Sequence, residues 1–293
     1  MKWLIFGSTG QLGRTLVEQL QFLHEVIPVS KKDVDITKND EVDKIISKHR
    51  PHQIVNAAGW TNVNEAEKSK KLAWAVNVDG AINIARSAVK YEVPLTHIST
   101  DYVFDGNFTS PIKENEPQCP GNFYGETKAQ AEIEIRNSYS TSVLILRTAW
   151  LYSLFGHNFP KSVLKKALSQ PSDFIQVVDD EFGQPTSTYE LATKIQELGE
   201  GRFTSGIIHG TTSGKATWFE FATHLLDFAG LNSKILVPIK SDQFQLDVKR
   251  PKYGVLGHEN WAITKVAPLD NWQVALKELA PKLRKEVEKT IAI

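Results

Sequence analysis

Gly7-Ser8-Thr9-Gly10-Gln11-Leu12-Gly13 is the stretch on which the fold turns. Before it lies a short apolar run, Lys2-Trp3-Leu4-Ile5-Phe6. After it comes Arg14 to Leu23, with apolar residues at Leu16, Leu20 and Leu23. The order reads as buried strand, tight turn and amphipathic helix. Glycine opens backbone conformations closed to other residues and lets a ligand come close to the main chain. The free N–H groups at the start of the helix, helped by its dipole, would then face an anion such as a dinucleotide pyrophosphate. The spacing is G-x-x-G-x-x-G rather than the G-x-G-x-x-G of the dinucleotide fingerprint. Taken alone, the motif leaves an ordinary glycine-rich strand-to-helix turn as the lesser reading.

The alternation continues along the chain. Strands are expected at 25–29, 53–56, 95–99 and 142–147, and helices at 39–48, 72–91 and 124–137. This βαβ rhythm implies a parallel sheet with helices on both faces. After Ala149 the rhythm loosens. Helices are expected at 158–169, 188–198, 218–229 and 272–287, a strand at 174–178, and one more buried strand at Gly206-Ile207-Ile208-His209 that returns to the main sheet. The fold class is therefore α/β: a Rossmann-type, doubly wound parallel sheet with a smaller, partly interleaved C-terminal substrate domain. The dinucleotide-binding domain is expected over 1–149 with a returning segment near 187–212, and the substrate domain mainly over 150–293. Ligands of such sheets lie beyond the carboxyl ends of the strands. Gly7, Asp35, Ala58, Ser99 and Thr148 should border one cleft.

Composition narrows the class. The chain has 293 residues, room for one large core or two unequal domains. Lys+Arg and Asp+Glu both number 34, so no net charge draws it to nucleic acid or a membrane surface. A single cysteine, Cys119, rules out an internal disulfide framework and a cysteine-rich zinc site, and reads as an inert loop thiol. The eight histidines offer no pair at metal-ligand spacing on one helix face, so no metal is expected, and His157 and His209 read as structural or substrate-lining. No apolar run approaches ~20 residues, so no membrane span is expected. The N-terminus enters a strand without the charged-then-apolar design of a signal peptide. A cytoplasmic protein is expected.

Chemistry gathers at the strand ends. Asp33-Val34-Asp35-Ile36 follows the second strand and offers an acidic and an apolar contact for adenine. Asn56-Ala57-Ala58-Gly59 ends the third strand with small side chains against which a cofactor can lie flat. The second strand ends Val29-Ser30-Lys31-Lys32, without the acid that pairs with a free ribose 2′-hydroxyl. Lys31, Lys32 and Arg14 are candidates to neutralise a 2′-phosphate, so NADPH is favoured over NADH, with NADH left open. Solvated surface lysines are the competing explanation. Tyr124 and Lys128 are four apart and share a helix face. A phenol ordinarily titrates near ~10, and a nearby cation lowers it by ~1–3 units. Ketone reduction needs an acid for the forming alkoxide while hydride arrives. Tyr124 would supply that proton, Lys128 would stabilise the phenolate and bind the nicotinamide ribose, and Thr100 would hold the carbonyl oxygen.

The glycine turn, Ser99-Thr100-Asp101-Tyr102-Val103-Phe104-Asp105-Gly106, the Tyr124/Lys128 pair and Leu146 to Tyr152 together resemble the extended short-chain dehydrogenases. More narrowly, they resemble the dTDP-4-dehydrorhamnose reductases. Gly156-His157-Asn158-Phe159, Val178 to Thr186, Gly206 to His209, Thr217 to Ala222 and Arg250-Pro251 extend the likeness to essentially the whole chain. The resemblance implies reduction by NAD(P)H of the C4 ketone of dTDP-4-dehydro-6-deoxy-L-mannose to dTDP-L-rhamnose, the last step toward the activated sugar of bacterial envelope polysaccharides. It implies Tyr124 as proton donor, with Thr100, Asp101, Trp150, Asn158 and Arg250 touching the dTDP-sugar. Gly7, Gly10, Gln11, Leu12, Gly13, Asp35, Ile36, Ala57, Ala58, Gly59, Trp60, Tyr124 and Lys128 would line the cofactor.

Departures from the pattern matter. Trp60 to Glu67 replaces the usual segment, and Lys252-Tyr253-Gly254 has glycine where many relatives place serine. Some relatives use Mg²⁺ at a dimer contact with acids of the first helix. Here that helix opens Arg14-Thr15-Leu16, so Mg²⁺ is not carried over; a homodimer stays open. Dehydratases of the same fold need a carboxyl pair after the threonine, whereas Asp101 is followed by Tyr102. Two alternatives remain: a dTDP-4-ketosugar reductase of other stereochemistry, and a non-catalytic regulatory subunit resembling the methionine adenosyltransferase beta subunit. The intact Thr100, Tyr124 and Lys128 favour catalysis.

Overall fold

A computed structural model describes residues 1–139, 142–170, 173–201, 203–243 and 248–291. In chain order the first half runs β1 (Lys2–Phe6), α1 (Gln11–Leu20), β2 (Glu25–Val29), α2 (Asn39–His49), β3 (Gln53–Asn56), α3 (Val63–Lys68), α4 (Lys70–Trp74), α5 (Gly80–Lys90), β4 (Leu95–Thr100), α6 (Phe123–Tyr139) and β5 (Val143–Thr148). The second half runs β6 (Leu151–Tyr152), α7 (Phe159–Ser169), β7 (Ile175–Val178), β8 (Phe182–Gly183), β9 (Thr186–Ser187), α8 (Thr188–Glu200), β10 (Gly206–His209), β11 (Ala216–Thr217), α9 (Trp218–Phe228), β12 (Leu236–Ile239) and α10 (Trp272–Ile291).

Six strands form one parallel sheet in the order β10-β5-β4-β3-β1-β2. Helices cover both faces, which is why β3 and β5 are buried at every residue; Val143 to Leu146 of β5 is an unbroken apolar run, whereas Gln53 and Asn56 flank the apolar pair of β3. β2 lies at the edge, where Pro28 removes a hydrogen-bond donor the sheet does not need. Side chains alternate between two cores. Leu4, Phe6, Ile54 and Ile145 pack with Ile46 of α2, Ile84 of α5 and Ile135 of α6. Trp3, Ile5, Val55, Leu144 and Leu146 face the other way, onto Leu16 of α1 and Leu191 and Ile195 of α8. A third core joins Tyr152, Leu164 of α7, Phe221 and Leu225 of α9, and Trp272, Leu276 and Leu283 of α10.

One expected element differs. The single helix anticipated over 72–91 is α4, a π turn at Ala75–Asp79, and α5, with α3 before them. The wider turn aims Asn77 inward. Its Oδ1 accepts from Trp60 N at 2.7 Å, and its Nδ2 donates to Trp60 O at 3.1 Å and Thr127 Oγ1 at 2.9 Å. Those bonds hold the loop after β3 against α6, a use of a π turn at a ligand-facing position.

A buried polar cluster fixes α6 on the sheet. Glu132 of α6 and Arg147 of β5 form an ion pair at 2.7 Å, with side chains 0% and 1% exposed. Glu132 also accepts from Ser99 Oγ and from Gln118 Nε2 at 2.5 Å, while Arg147 Nη1 donates to Glu114 O at 3.2 Å. With every charge partnered, such a pair is tolerated in a dry interior; removing one partner is severe. Arg147→Met should therefore lower unfolding stability by about 3–5 kcal/mol. Urea denaturation followed by circular dichroism checks this, and a loss below about 1 kcal/mol would show that the pair does not hold α6.

Candidate active site

The turn after β1 is built for close approach. Gly7 sits at φ +78°, and a Cβ there would lie 2.5 Å from Ala58 N and 2.6 Å from the Ala57 carbonyl carbon. The strand end of β1 and that of β3 thus touch through bare backbone. Gly10 N donates to Gly7 O at 3.0 Å, and Gly10 caps α1 with no side-chain acceptor, leaving first-turn N–H groups for an anion. Gly13 does other work than lining the cleft: a Cβ there would fall 2.1 Å from Gly7 O, so its bareness seats α1 on the turn.

A cleft of about 840 Å³ opens above these strand ends, within the range of small-molecule sites. It is bordered by Gly7, Gly10, Gln11, Leu12, Asp35, Ile36, Ala57, Ala58, Gly59 and Trp60 on one side. Ser99, Thr100, Asp101, Tyr124, Lys128, Thr148, Trp150 and Arg250 border the other. Of the three cations considered for a 2′-phosphate, only Lys31 lines it, beside Ser30. Lys32 lies outside, and the Arg14 guanidinium covers the Phe155 ring at 4.3 Å. Asp35 Oδ1 accepts from Thr37 Oγ1 at 2.8 Å and Thr37 N at 3.1 Å, bonds that hold its carboxyl below the usual range.

Tyr124, Lys128 and Glu132 stand four apart and form one stripe on α6. Glu132 anchors the stripe at Ser99, which brings Tyr124 and Lys128 over the end of β4. Burial pushes the Tyr124 phenol up to about 12, partly offset by the neighbouring Thr100 hydroxyl. Burial pushes Lys128 down to about 8, partly offset by the Glu132 charge. Lys128 Nζ donates to Ile98 O at 2.6 Å and lies 3.3 Å from His97 Nε2. The expectation that this ammonium lowers the phenol therefore fails in the resting protein: desolvation dominates, and the amine is turned to the strand. His97 is held neutral by burial first and by Lys128 second, and its Nδ1 lies 3.1 Å from Asn56 Nδ2.

Trp150 closes the other end. Its backbone is left-handed, at φ 46°. Its indole stacks on Trp218 with centroids 3.4 Å apart and planes at 8°, and a Cβ on Gly183 would lie 2.3 Å from it. Trp218 Nε1 donates to Glu181 Oε2 at 3.2 Å. Trp218 lines the cleft and was not among the expected site residues. It falls on the same stripe of α9 as Phe221, Ala222 and Leu225, so sequence alone reads it as core. Asn158 does not line the cleft. Its Oδ1 caps α7 through Lys161 N at 3.2 Å, and its Nδ2 donates to Gln11 Oε1 at 2.9 Å and Ser153 O at 2.8 Å. It positions Gln11 instead. Among the described residues, no three His, Cys, Asp or Glu side chains converge as a metal site.

This is the arrangement of a nicotinamide-dependent carbonyl reductase of the extended short-chain dehydrogenase class. The chain matches the family described as the RmlD substrate binding domain over residues 1–285 and belongs to it. It is 38% identical over 283 residues to a protein of Streptomyces niveus named dTDP-4-keto-6-deoxy-D-glucose reductase, covering 96% of this chain and 97% of that one. A dTDP-4-dehydrorhamnose reductase of Streptomyces griseus is 35% identical, with 96% and 94% covered. The crystal structure of dTDP-4-dehydrorhamnose reductase from Bacillus anthracis in complex with NADP superimposes with a TM-score of 0.89 at 31% identity, covering 94% of this chain and 97% of that one.

The cradle predicts its own sensitivity. Gly7→Ala forces a left-handed Ala, at a cost of about 1–2 kcal/mol, and drives its Cβ into the Ala57–Ala58 peptide. NADPH affinity, read by fluorescence titration, should fall about tenfold or more, the equivalent of about 1.4 kcal/mol. An unchanged Kd would mean the dinucleotide does not rest on this turn.

Proposed function

We propose that the protein reduces the C4 ketone of dTDP-4-dehydro-6-deoxy-L-mannose to dTDP-L-rhamnose, using NADPH. One observation carries this reading: Thr100, Tyr124 and Lys128 line the same cleft as the glycine turn that cradles a dinucleotide. The family and the names of the relatives support the sugar nucleotide as substrate. The NADP in the Bacillus anthracis relative supports the phosphorylated cofactor, as does Lys31 at the end of β2.

The residues present fit that cofactor. Bare backbone at Gly7, Ala57 and Ala58 and the uncapped start of α1 suit its pyrophosphate, and Asp35 and Ile36 suit its adenosine end. When bound, the nicotinamide supplies hydride to the ketone carbon. Tyr124 gives its hydroxyl proton to the oxygen that becomes the alcohol, and Thr100 holds that oxygen in place. Lys128, four residues along α6, would leave Ile98 O for the ribose hydroxyls and steady the phenolate. Trp150 and Trp218 wall the sugar-nucleotide end, with Arg250 available to the diphosphate through its planar fork. In this reading residues 1–149 with a return near 187–212 carry the cofactor, and 150–293 mainly the substrate. The enzyme works in the cytoplasm on a soluble sugar nucleotide.

A second reading has a specific observation behind it. The Streptomyces niveus relative is named for a different ketosugar, so reduction of a dTDP-4-ketosugar of other ring stereochemistry is the alternative. An assay with identified product separates the two: dTDP-L-rhamnose supports the first, an epimer the second. Replacing the proton donor tests the chemistry itself. Tyr124→Phe should cut kcat by about 10²–10⁴-fold with NADPH affinity kept. Undiminished turnover would remove Tyr124 from the mechanism. Cofactor choice follows from Lys31, whose charge should make kcat/KM higher with NADPH than with NADH. Equal or better use of NADH would contradict that role.

A further inference from the structure

Asp101 is a carboxyl group in an unusual position. It lines the cleft yet is only 3% exposed, and Thr100 Oγ1 donates to its Oδ1 at 3.0 Å. Backbone closes the other oxygen, since a Cβ on Gly254 would lie 2.7 Å from Asp101 Oδ2. The influences on the carboxyl are burial first, then the hydrogen bond from Thr100 and those from the backbone at Asp101 and Tyr102; no cation ranks among them. The nearby titratable and charged groups are Tyr124 of α6, with Lys128 one turn further along that helix. Tyr102 is next in the chain, and the charges of Arg250 and Glu181 reach it.

The conflict lies in Thr100. A hydroxyl has one proton to donate. With Asp101 ionised, that proton is held by Asp101 Oδ1, and Tyr102 N donates to the same Thr100 oxygen at 3.2 Å. Thr100 then presents only lone pairs to Tyr124 and to any ketone oxygen. With Asp101 neutral, the carboxyl donates and Thr100 accepts, so the hydroxyl proton swings into the cleft.

We propose that Asp101 acts in its neutral form, as a positioning residue whose proton turns the Thr100 hydroxyl toward the reacting oxygen. The inference rests on the reductase reading and assigns to one buried carboxyl the control of a donor's direction. The carboxyl suits the task because burial raises it from the ordinary aspartate range to about 7. Neutral acid is then abundant near neutrality and scarce a unit or two above it.

Two measurements test this, the first without turnover. In protein labelled with ¹³C at aspartate carboxyls, one resonance should titrate at about 7. It should vanish in Asp101→Asn and titrate higher in Thr100→Val, which lacks the bond that favours the carboxylate. The absence of such a resonance, or an unmoved one in Thr100→Val, overturns the coupling. The second is the single-turnover rate of hydride transfer. In the wild type it should fall about fourfold between about pH 6 and about pH 7.5, following the neutral fraction of a single group titrating near 7. In Asp101→Asn, whatever the absolute rate, the profile should be flat across that window, because an amide can donate to Thr100 at every pH. A fall in Asp101→Asn matching the wild type overturns the proposal. A wild type that titrates as described but reduces no dTDP-4-ketosugar overturns the reductase reading and leaves the coupling established.

Discussion

The seating of α6 on β4 and β5 is the constraint on which the site depends, and the Glu132–Arg147 ion pair is its anchor. The pair is wholly buried, so its value lies in geometry rather than in net stability; an apolar substitute of the same shape could be as stable. What an apolar substitute would lack is direction. Glu132 accepts simultaneously from Ser99, Gln118 and Arg147, and these three come from β4, the loop before α6, and β5. Together these bonds fix the rotation and register of α6. Two turns earlier on the same stripe that register delivers Tyr124, and one turn earlier Lys128.

Electrostatics of the cleft follow from the same burial. Desolvation raises Tyr124 and lowers Lys128, each toward its neutral form. His97, beneath the lysine, is neutral for the same reason. On the proposed function, cofactor hydroxyls would offer Lys128 partners other than Ile98 O, and its ammonium, freed toward the phenol, would stabilise the anion. Burial thus holds Tyr124 protonated near neutral pH.

Much of the fold was legible because it is carried by period and punctuation. β1, the glycine turn and α1 are contiguous, and the strand ends that border the cleft fall where a parallel sheet requires. Local rules also explain Asn158: Asn followed by Phe159-Pro160 is a helix-start signature, and the residue is spent as a cap. Other features were not legible. The Glu132–Arg147 pair joins residues 15 apart on different elements, and nothing local marks it. The π turn at Ala75–Asp79 lies inside a helical period that gives no sign of its extra residue. Trp218 satisfies the core stripe of α9 and the cleft wall at once, so periodicity accounts for it fully and hides its second role. Spacing puts Tyr124 and Lys128 on one face, but only tertiary structure reveals that Ile98 O claims the amine.

A dinucleotide whose pyrophosphate rests on the glycine turn would bring its nicotinamide within hydride reach of a sugar ketone held by Thr100 and Tyr124. The most direct measurement is transfer of label. NADPH deuterated on one face of the nicotinamide C4 is incubated with the dTDP-4-ketosugar, and the product is read by NMR. Deuterium should appear on C4 of the sugar from one face of the nicotinamide only. Product carrying no deuterium from either face, or label at any other carbon, would contradict it.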